Sequence, residues 1–429
     1  MGADVSVVIP IYGRADVLDL TLEGLGQQTD TDFTVHLIDQ GDSVDPGPIR
    51  AKFCRRLTLE YLNVPADTPV GTKRNLGAEQ SLGRIIVFLD SDVIPGPELI
   101  AGHRAVHCEG DERAAIGYIY GLKGFERDAL PALLTEKTYA GLMAQLQAMR
   151  ESVPDERDAY YAKVQDVVMA FRAPWNVFWS GNVSVTRLGF ARAGGFDGHF
   201  RGWGYEDVEF GYRLYRSNTR FQLARRAWAL HYPQPLDVTP RIQEADANLR
   251  YFVEKYPYLD AELYAYYLEP WKNYRPRFDQ LESETLSAED VAWIEQQGWL
   301  RGARVVQLGF EPELTHFPQI TTILEPRAAV YQAIPRSIHG TYHLSGLYCP
   351  WNASAFDIAV GAPLWQQYAL RQQVRLIEEL LRLAPTAVLL GSHGSSLDTL
   401  NQAVATRPDW GLSEFTHGRL CAWVVHRQV

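Results

Sequence analysis

The sequence predicts an α/β fold arranged in two successive domains. Strand and helix signals alternate over roughly the first 120 residues, a polar stretch with helical spacing follows, and a second alternating pattern begins near Gly302. This alternation is typical of a largely parallel sheet covered by helices, whose ligands bind at the carboxyl ends of the strands. Contents of 46% hydrophobic and 22% charged residues agree with a packed globular chain.

Short apolar runs rich in β-branched residues predict the strands of the first domain, and apolar residues three or four positions apart predict its helices. The predicted strands are 5–10, 33–39, 57–63, 84–90 and 114–121, and the predicted helices are 16–28, 71–82 and 97–108. Residues 126–170 predict one or two helices laid over the sheet and broken near Pro154. The stretch 175–210 is rich in glycine and aromatic residues, so it is expected to form loops that carry chemistry.

Residues 239–267 predict a helical tail, and a second α/β pattern follows it. Ser287, with Asp290 three residues later, is a capping signal for a helix over 286–297. The second pattern consists of the predicted strands 304–308, 320–324, 356–360 and 387–391 and a long helix 365–383. The expected parts are a first domain 1–275 with a helical insert at 126–170 and a helical tail at 240–275, a linker helix 276–301 and an α/β domain 302–429.

The composition argues against several classes of protein. A formal net charge of −11 disfavours general electrostatic binding of nucleic acid or of an anionic membrane, although it does not exclude a local basic groove. The chain has no apolar run near the roughly 20 residues that span a bilayer and no secretion signal, so a cytoplasmic location is expected. Its four cysteines are far apart, which fits a reducing compartment and no structural zinc.

An acidic motif, Asp90-Ser91-Asp92, follows the predicted strand 84–90. Residues i and i+2 of an extended chain face the same side, so the two carboxylates can share one cation. Oxygen ligands suit Mg²⁺ or Mn²⁺, hard ions that bridge diphosphates. For such a motif alone, a strand-end turn with solvated acids is the commoner explanation.

Other candidate residues follow later in the chain. Glu206 and Asp207 follow Trp203, and Asp207 starts a predicted helix. The helix dipole favours acids at this position, and a partly desolvated carboxylate there can serve as a general base. His231 closes a predicted strand, either as a structural imidazole or as a ligand for Mn²⁺. The run WSGN at 179–182 contains a glycine that allows a ligand to approach the backbone closely.

Taken together and in this order, the motifs resemble those of GT-A glycosyltransferases of family 2. The matching segments are VSVVIPIYGR, GTKRNLGAEQSLGRIIVFLDSD, WSGNVSV, GGFDGHFRGWGYEDVEFGYRLYR and LHYP. The fourth segment is also similar to the C-terminal part of β-1,4-galactosyltransferases and to bacterial chondroitin polymerases. The resemblance covers residues 1–235 and implies a GT-A domain, the Rossmann-like fold of nucleotide-diphospho-sugar transferases.

The resemblance implies a role for each matching residue. Gln40 replaces an acid that is usual in the family, so the base-reading acid is Asp39 or Asp42. The other residues expected at the nucleotide are Pro10, Tyr12 and Arg14 near the base and Lys73, Arg74 and Asn75 near the ribose and phosphates. Those expected at the donor sugar, the acceptor or the metal are Asp90, Ser91, Asp92, Gly181, Asn182, Trp203, Gly204 and His231, with Asp90, Asp92 and His231 as the metal ligands. Asp207 matches the catalytic base, and Glu206 is expected to bind hydroxyls of the acceptor or donor.

The implied reaction is an inverting transfer of a sugar from a UDP-sugar to an acceptor hydroxyl, with Mn²⁺ or Mg²⁺ as cofactor. Galactose, N-acetylgalactosamine and glucose are the expected donor sugars, and the acceptor stays open between a polysaccharide, a natural product, a peptide and a modified nucleobase. No second nucleophile is evident, which favours inversion, although a retaining front-face mechanism needs none either. The alternative is a non-catalytic protein that binds carbohydrate or nucleotide on the same scaffold.

The second domain loosely resembles Rossmann-type methyltransferases at 304–312, 322–326 and 356–363. Only Gly309 remains of the glycine-rich loop that would hold S-adenosylmethionine, because Phe310 follows it directly. We therefore expect a degenerate domain that serves acceptor binding or dimerisation, the latter giving a homo-oligomer. Methyl transfer by this domain is a further alternative.

Overall fold

The computed structural model describes residues 3–11, 15–41, 44–108, 112–121, 136–232, 238–267, 278–282, 284–301, 303–335, 338, 340–392 and 396–427. The chain divides into two compact units, the first containing Met1–Leu249 and the second Arg250–Leu268 and Asn273–Val429. The expected boundary at residue 275 lies outside the described residues.

The first unit is an α/β structure, as the sequence predicts. Its strands are β1 Val5–Ile11, β2 Phe33–Gln40, β3 Thr58–Val64, β4 Ile85–Leu89, β5 Val93–Pro95, β6 Arg113–Tyr120, β7 Asn182–Thr186 and β8 Arg220–His231. Its helices are α1 Ala15–Leu25, α2 Pro46–Phe53, α3 Val70–Gln80, α4 Leu99–Val106, α5 Tyr139–Met149, α6 Asp158–Lys163, α7 Arg187–Ala193, α8 Glu206–Arg216 and α9 Val238–Lys255, the last of which continues into the second unit.

The strands of the first unit form one sheet in the order β3-β2-β1-β4-β7-β6-β8-β5 within the described residues. The pairs among β3, β2, β1 and β4 are parallel, and so is β6 with β8. Strand β7 runs antiparallel to both β4 and β6, and β5 runs antiparallel to β8. The sheet is therefore mixed: four of its seven described strand pairs are parallel, and the expectation of a largely parallel sheet fails at β7 and β5.

The core explains why the apolar runs form central strands. All seven residues of β1 are buried, because helices cover both faces of the sheet. Val7 and Ile9 pack on one face with Leu18 and Leu22 of α1. On the other face, Val8 meets α3 so closely that a Cβ at Gly77 would lie 2.4 Å from the Val8 Cγ1 atom.

The sheet places the candidate acids at one edge. The strands β2, β1 and β4 are parallel neighbours, so Asp39 at the end of β2 and Asp90 just after β4 share their carboxyl edge. Because β7 pairs antiparallel with β4, with Leu89 opposite Asn182, Gly181 arrives at the same edge from the opposite direction. The backbone N–H of Asp90 donates to the Gly181 carbonyl at 3.1 Å.

The second unit is also α/β, with a sheet in the order β11-β10-β9-β12-β13-β15-β14. Its strands are β9 Val305–Leu308, β10 Ile320–Leu324, β11 Thr341–Tyr342, β12 Ile358–Gly361, β13 Thr386–Ser392, β14 Trp410–His417 and β15 Leu420–Arg427. Its helices are α10 Leu259–Tyr267, α11 Ala288–Gln297, α12 Ala328–Ala333, α13 Leu370–Leu383 and α14 Ser396–Ala405. The capping box predicted from Ser287 and Asp290 is present at the start of α11. The antiparallel hairpin of β14 and β15 was not predicted.

At the carboxyl ends of β9 and β10, polar groups of the second unit bind one another. The Glu325 carboxylate accepts the Phe310 N–H at 2.8 Å and the Arg327 guanidinium at 2.8 Å. Gly309 has a φ of +79°, and a Cβ there would lie 3.2 Å from the Cβ of Ala362. The methyltransferase resemblance of this domain stays a prediction.

The helices are too short or too polar to cross a lipid bilayer, as far as the described residues show.

Candidate functional site

Asp92 and His231 come together on neighbouring strand ends. Strand β5 pairs with β8 so that Val93 lies opposite His231, and the Tyr232 N–H donates to the Asp92 carbonyl at 2.8 Å. This pairing places Oδ2 of Asp92 3.7 Å from Nε2 of His231. Both side chains are largely buried, with 14% and 9% of their surface exposed.

This pair fits a divalent ion that also binds a diphosphate. Within the ranges that the structure describes, no group of three or more His, Cys, Asp or Glu side chains is arranged to hold a metal ion unaided. An ion such as Mg²⁺ commonly takes one or two protein ligands and completes its shell with substrate phosphates and water. The three-ligand set predicted from Asp90, Asp92 and His231 is not found as a group among the described residues, since the Asp90 carboxylate binds Arg74 instead. Asp92 and His231 would supply one oxygen and one nitrogen ligand, a set that suits Mn²⁺.

Arg74 of α3 joins two motifs that are far apart in the sequence. Its guanidinium donates to Oδ1 of Asp90 and to Oε1 of Glu206, each at 2.9 Å. The Arg74 side chain is only 3% exposed, and its guanidinium carbon lies 5.4 Å from the centre of the Phe196 ring. The structure therefore places Arg74 between two carboxylates, at the same sheet edge where the resemblance puts the ribose and phosphates.

Asp207 is held by backbone donors at the start of α8. Its Oδ2 accepts the Ser180 N–H at 3.0 Å, and its Oδ1 accepts the Val208 N–H at 2.7 Å. Burial is the main cause that raises the pKa of Asp207 to about 7, and the neighbouring Glu206 carboxylate raises it further. The Ser180 hydrogen bond opposes this shift. Asp207 can therefore both accept and release a proton near neutral pH.

The acids and bases that are expected at the nucleotide also lie at the carboxyl edge. Asp39 is fully buried, and its Oδ2 accepts the Tyr61 hydroxyl and, at 3.1 Å, the Val44 N–H. Lys73 donates to Oε1 of Gln40, the residue that replaces the family's acid, at 2.7 Å. Burial lowers the pKa of Lys73 to about 8, and the positive charge of Arg74 contributes. Of the other predicted residues, Pro10 lies in β1, whereas Tyr12, Arg14 and Asp42 lie outside the described residues.

Two predicted asparagines hold the backbone. The amide of Asn75 donates to the Phe196 carbonyl at 2.8 Å and accepts the Phe196 N–H at 2.7 Å. Asn182 is fully buried, donates to the Ala227 carbonyl at 2.8 Å and contacts Nε2 of His103 at 2.8 Å. These side chains point into the protein, so any contact of Asn182 with a sugar would use its backbone.

Gly181 lies beside Asp90, and Trp203 and Gly204 precede Glu206 in the chain. A Cβ at Gly181 would lie 3.4 Å from Oδ2 of Asp90, so this glycine keeps the space beside that carboxylate open. Gly204 has a φ of +95° and Trp203 is partly exposed. Ser91 accepts a hydrogen bond from the Thr21 hydroxyl through its carbonyl, at 2.9 Å.

Sequence reasoning missed several residues that shape this site. Ser180 lies within the WSGN run, but nothing in the sequence pattern assigns it to Asp207. The other missed residues are Tyr61, His103, Glu244 and Asn248. Their partners are 22 to 79 residues away in the chain, and spacing alone gives no signal for such contacts.

Comparisons with known proteins relate the chain to glycosyltransferases. Residues 6–152 match the family described as Glycosyl transferase family 2, and residues 165–233 match the one described as the N-terminal domain of galactosyltransferase. Validoxylamine A glucosyltransferase of Streptomyces hygroscopicus subsp. jinggangensis is 28% identical over 389 residues, which cover 83% of this chain and 89% of that protein. An alignment over 83% of this chain is longer than the stretch Met1–Leu249 of the first unit, so the similarity extends into the second unit.

Two other proteins match over shorter parts. Chondroitin synthase of Escherichia coli is 30% identical over 269 residues, which cover 59% of this chain and 38% of that protein. Among solved structures, the mannosyltransferase PcManGT from Pyrobaculum calidifontis in complex with GDP-Man and Mn²⁺ is 16% identical, with a TM-score of 0.43. That comparison covers 62% of this chain and 71% of the mannosyltransferase.

Proposed function

We propose, from the premise that this chain is a glycosyltransferase of family 2, that it transfers glucose from UDP-glucose to a hydroxyl of validoxylamine A or a similar acceptor. The relative named for this activity matches most of both chains, including part of the second unit. The reaction is proposed to invert the anomeric centre, to use Mn²⁺ or Mg²⁺, and to use Asp207 as general base.

The main support for the proposal is the pair of ion pairs that Arg74 forms. By binding Asp90 and Glu206 together, it joins the Asp-Ser-Asp motif after β4 to the Glu-Asp pair at the start of α8. Glycosyl transfer needs a group that binds the nucleotide diphosphate and a base for the acceptor, and these must lie in one site. A single buried guanidinium that contacts both motifs supports this arrangement.

In the proposed reaction, Asp207 acts as the general base for the acceptor hydroxyl. Its carboxylate would take the proton of the acceptor hydroxyl while the acceptor oxygen forms a bond to the anomeric carbon. At the same time the bond between that carbon and the diphosphate oxygen of UDP breaks, and the electron pair leaves with UDP. Glu206, fixed by Arg74, is proposed to bind a hydroxyl of one substrate. A divalent cation held by Asp92 and His231 would stabilise the charge that develops on the diphosphate.

The pH dependence of turnover follows from the raised pKa of Asp207. Only the deprotonated carboxyl accepts a proton, and burial raises its pKa to about 7. We expect kcat/KM to fall about tenfold for each pH unit below 7 and to level off above it. Release of UDP from UDP-glucose, followed from pH 5.5 to 9, measures this profile. A flat profile across that range would contradict the assignment of Asp207.

Metal dependence is tested by calorimetric binding of UDP, GDP and TDP, first with Mn²⁺ and then with EDTA. We expect UDP to bind with Mn²⁺ and to lose at least tenfold in affinity with EDTA, because the chelator removes the ion. H231A should lose a similar factor, because the ion would then lack the imidazole ligand. The exposed His316 gives a matched control, and H316A should bind UDP as the wild type does. Unchanged UDP affinity in EDTA would rule out a role of the metal in nucleotide binding. Tighter binding of GDP than of UDP would rule out a UDP-sugar as the donor.

The galactosyltransferase-type match at 165–233 favours a second set of donors. UDP-galactose and UDP-N-acetylgalactosamine therefore belong in the same assay as UDP-glucose. Faster turnover of either one would replace glucose in the proposal and leave the site chemistry as described.

A further inference from the structure

The loop that precedes the two catalytic acids has a costly backbone conformation. Gly202, Gly204 and Tyr205 have φ angles of +68°, +95° and +71°. Glycine tolerates such angles, but a residue with a Cβ is destabilised there, because the Cβ comes too close to the following carbonyl oxygen. A strained residue persists only where surrounding contacts fix it, and such residues concentrate at functional sites. Tyr205 directly precedes Glu206, so whatever holds this loop also holds the start of α8.

Two side chains of α9 hold the loop through its main chain. Oε2 of Glu244 accepts the Trp203 N–H at 2.8 Å. Nδ2 of Asn248 lies 2.9 Å from the Arg201 carbonyl, 3.3 Å from the Trp203 carbonyl and 2.9 Å from the Gly204 carbonyl. Glu244 and Asn248 are four residues apart and therefore lie on one face of the helix. We call this pair the α9 clamp.

The fit between clamp and loop is close. A Cβ at Gly202 would lie only 2.4 Å from Cδ of Glu244, and one at Gly204 would lie 3.8 Å from the Cβ of Ala245. Asn248 is 7% exposed, so its hydrogen bonds are shielded from water. The clamp contacts N–H and carbonyl groups of the loop, and it therefore fixes backbone position whatever side chains the loop carries.

We propose that Glu244 and Asn248 are positioning residues for the transfer reaction, which they serve by fixing the loop that orients Asp207. The inference rests on the proposed function of Asp207. Asp207 is two residues beyond Tyr205, and its Oδ2 must remain within reach of the Ser180 N–H. A displacement of about 1 Å at a reacting group can lower a rate by about 100-fold. Loss of the clamp should therefore affect turnover more than nucleotide binding.

The experiment compares N248A, E244A and E244Q with the wild type. The control is Q243A, on the same exposed stretch of α9. For each full-length protein we would measure UDP affinity with Mn²⁺, kcat for hydrolysis of UDP-glucose with water as acceptor, and the melting temperature. We expect kcat to fall 10- to 100-fold in N248A and E244A while the Kd for UDP stays within twofold. E244Q should keep most of the turnover, because its amide oxygen can still accept the Trp203 N–H.

Turnover in N248A and E244A equal to that of Q243A would overturn the inference. A parallel loss of UDP affinity and turnover, with no rescue in E244Q, would also overturn it, since that pattern indicates general loss of structure. Failure of the wild type itself to bind UDP and to hydrolyse UDP-glucose is a separate outcome, because it contradicts the proposed function.

Discussion

Replacing Asp207 by asparagine is expected to lower kcat by about 10³-fold, within the range that general bases contribute. The asparagine side chain has nearly the same shape, and its oxygen can still accept the Ser180 N–H that Oδ2 accepts at 3.0 Å. It cannot take a proton from an acceptor hydroxyl at neutral pH. Calorimetry should find the Kd for UDP within twofold of the wild-type value, so the loss would lie in the chemical step.

The stability of D207N separates lost chemistry from lost folding. Because burial raises the pKa of Asp207 from 3.8 to about 7, the folded protein favours the protonated form. The stability that this protonation contributes is present below pH 4 and is lost as the pH rises towards 7. D207N should therefore melt at a higher temperature than the wild type at pH 8, with the difference shrinking as the pH falls to 4.

The control for D207N is D398N, at an exposed position of α14 in the second unit. This variant should keep wild-type turnover at every pH. D207N that retains more than a tenth of wild-type kcat would show that another group accepts the proton.

Replacing Arg74 by methionine is expected to have the largest effect on stability. Methionine has similar bulk but leaves the carboxylates of Asp90 and Glu206 facing each other without a cation. Removing one partner of a buried ion pair costs about 3–5 kcal/mol, and we expect about 3, because Asp90 keeps 37% of its side chain exposed. Urea unfolding at pH 8 measures this loss, and UDP binding should disappear with it.

Further variants at this position test the bridging geometry. R74K keeps the charge but lacks the planar fork that reaches Asp90 and Glu206 together, so it should recover stability more than turnover. R74M combined with E206Q should regain part of the lost stability, because one unpaired carboxylate is removed. The exposed Arg192 provides the control R192M, which should unfold as the wild type does. Equal unfolding of R74M and R192M would contradict the buried bridge.

Apolar periodicity predicted the strands and helices well wherever the pattern was local. The strand 320–324 has the predicted bounds, and the capping box at Ser287 is present. The helix predicted over 365–383 begins only at Leu370, because Pro363 starts a separate short turn around Trp365. Such boundaries depend on tertiary packing, which a local sequence pattern does not contain.

The site was predictable as a set of motifs but not as a set of contacts. The order of acids and glycines indicated which residues meet at the sheet edge, and the structure places Asp92 beside His231. The partner of Arg74 was not predictable, because Glu206 lies 132 residues away. Nor did the sequence indicate that the Asn182 amide bonds the backbone inside the sheet, since a polar residue after a glycine fits a ligand contact equally well.

The antiparallel strand β7 has a consequence for how such enzymes can diversify. Five residue pairs, from Ile85 with Thr186 to Leu89 with Asn182, fix β7 against β4. Changes in the length of exposed turns between Gly121 and Gly181 would therefore leave the glycine beside Asp90 in place, since longer connections cost little entropy. The buried pair Asp155 and Arg157, which binds the backbone of β6, limits where such changes can occur. Evolution could thus vary this segment, and with it the molecules that reach the site, while the reacting groups keep their places.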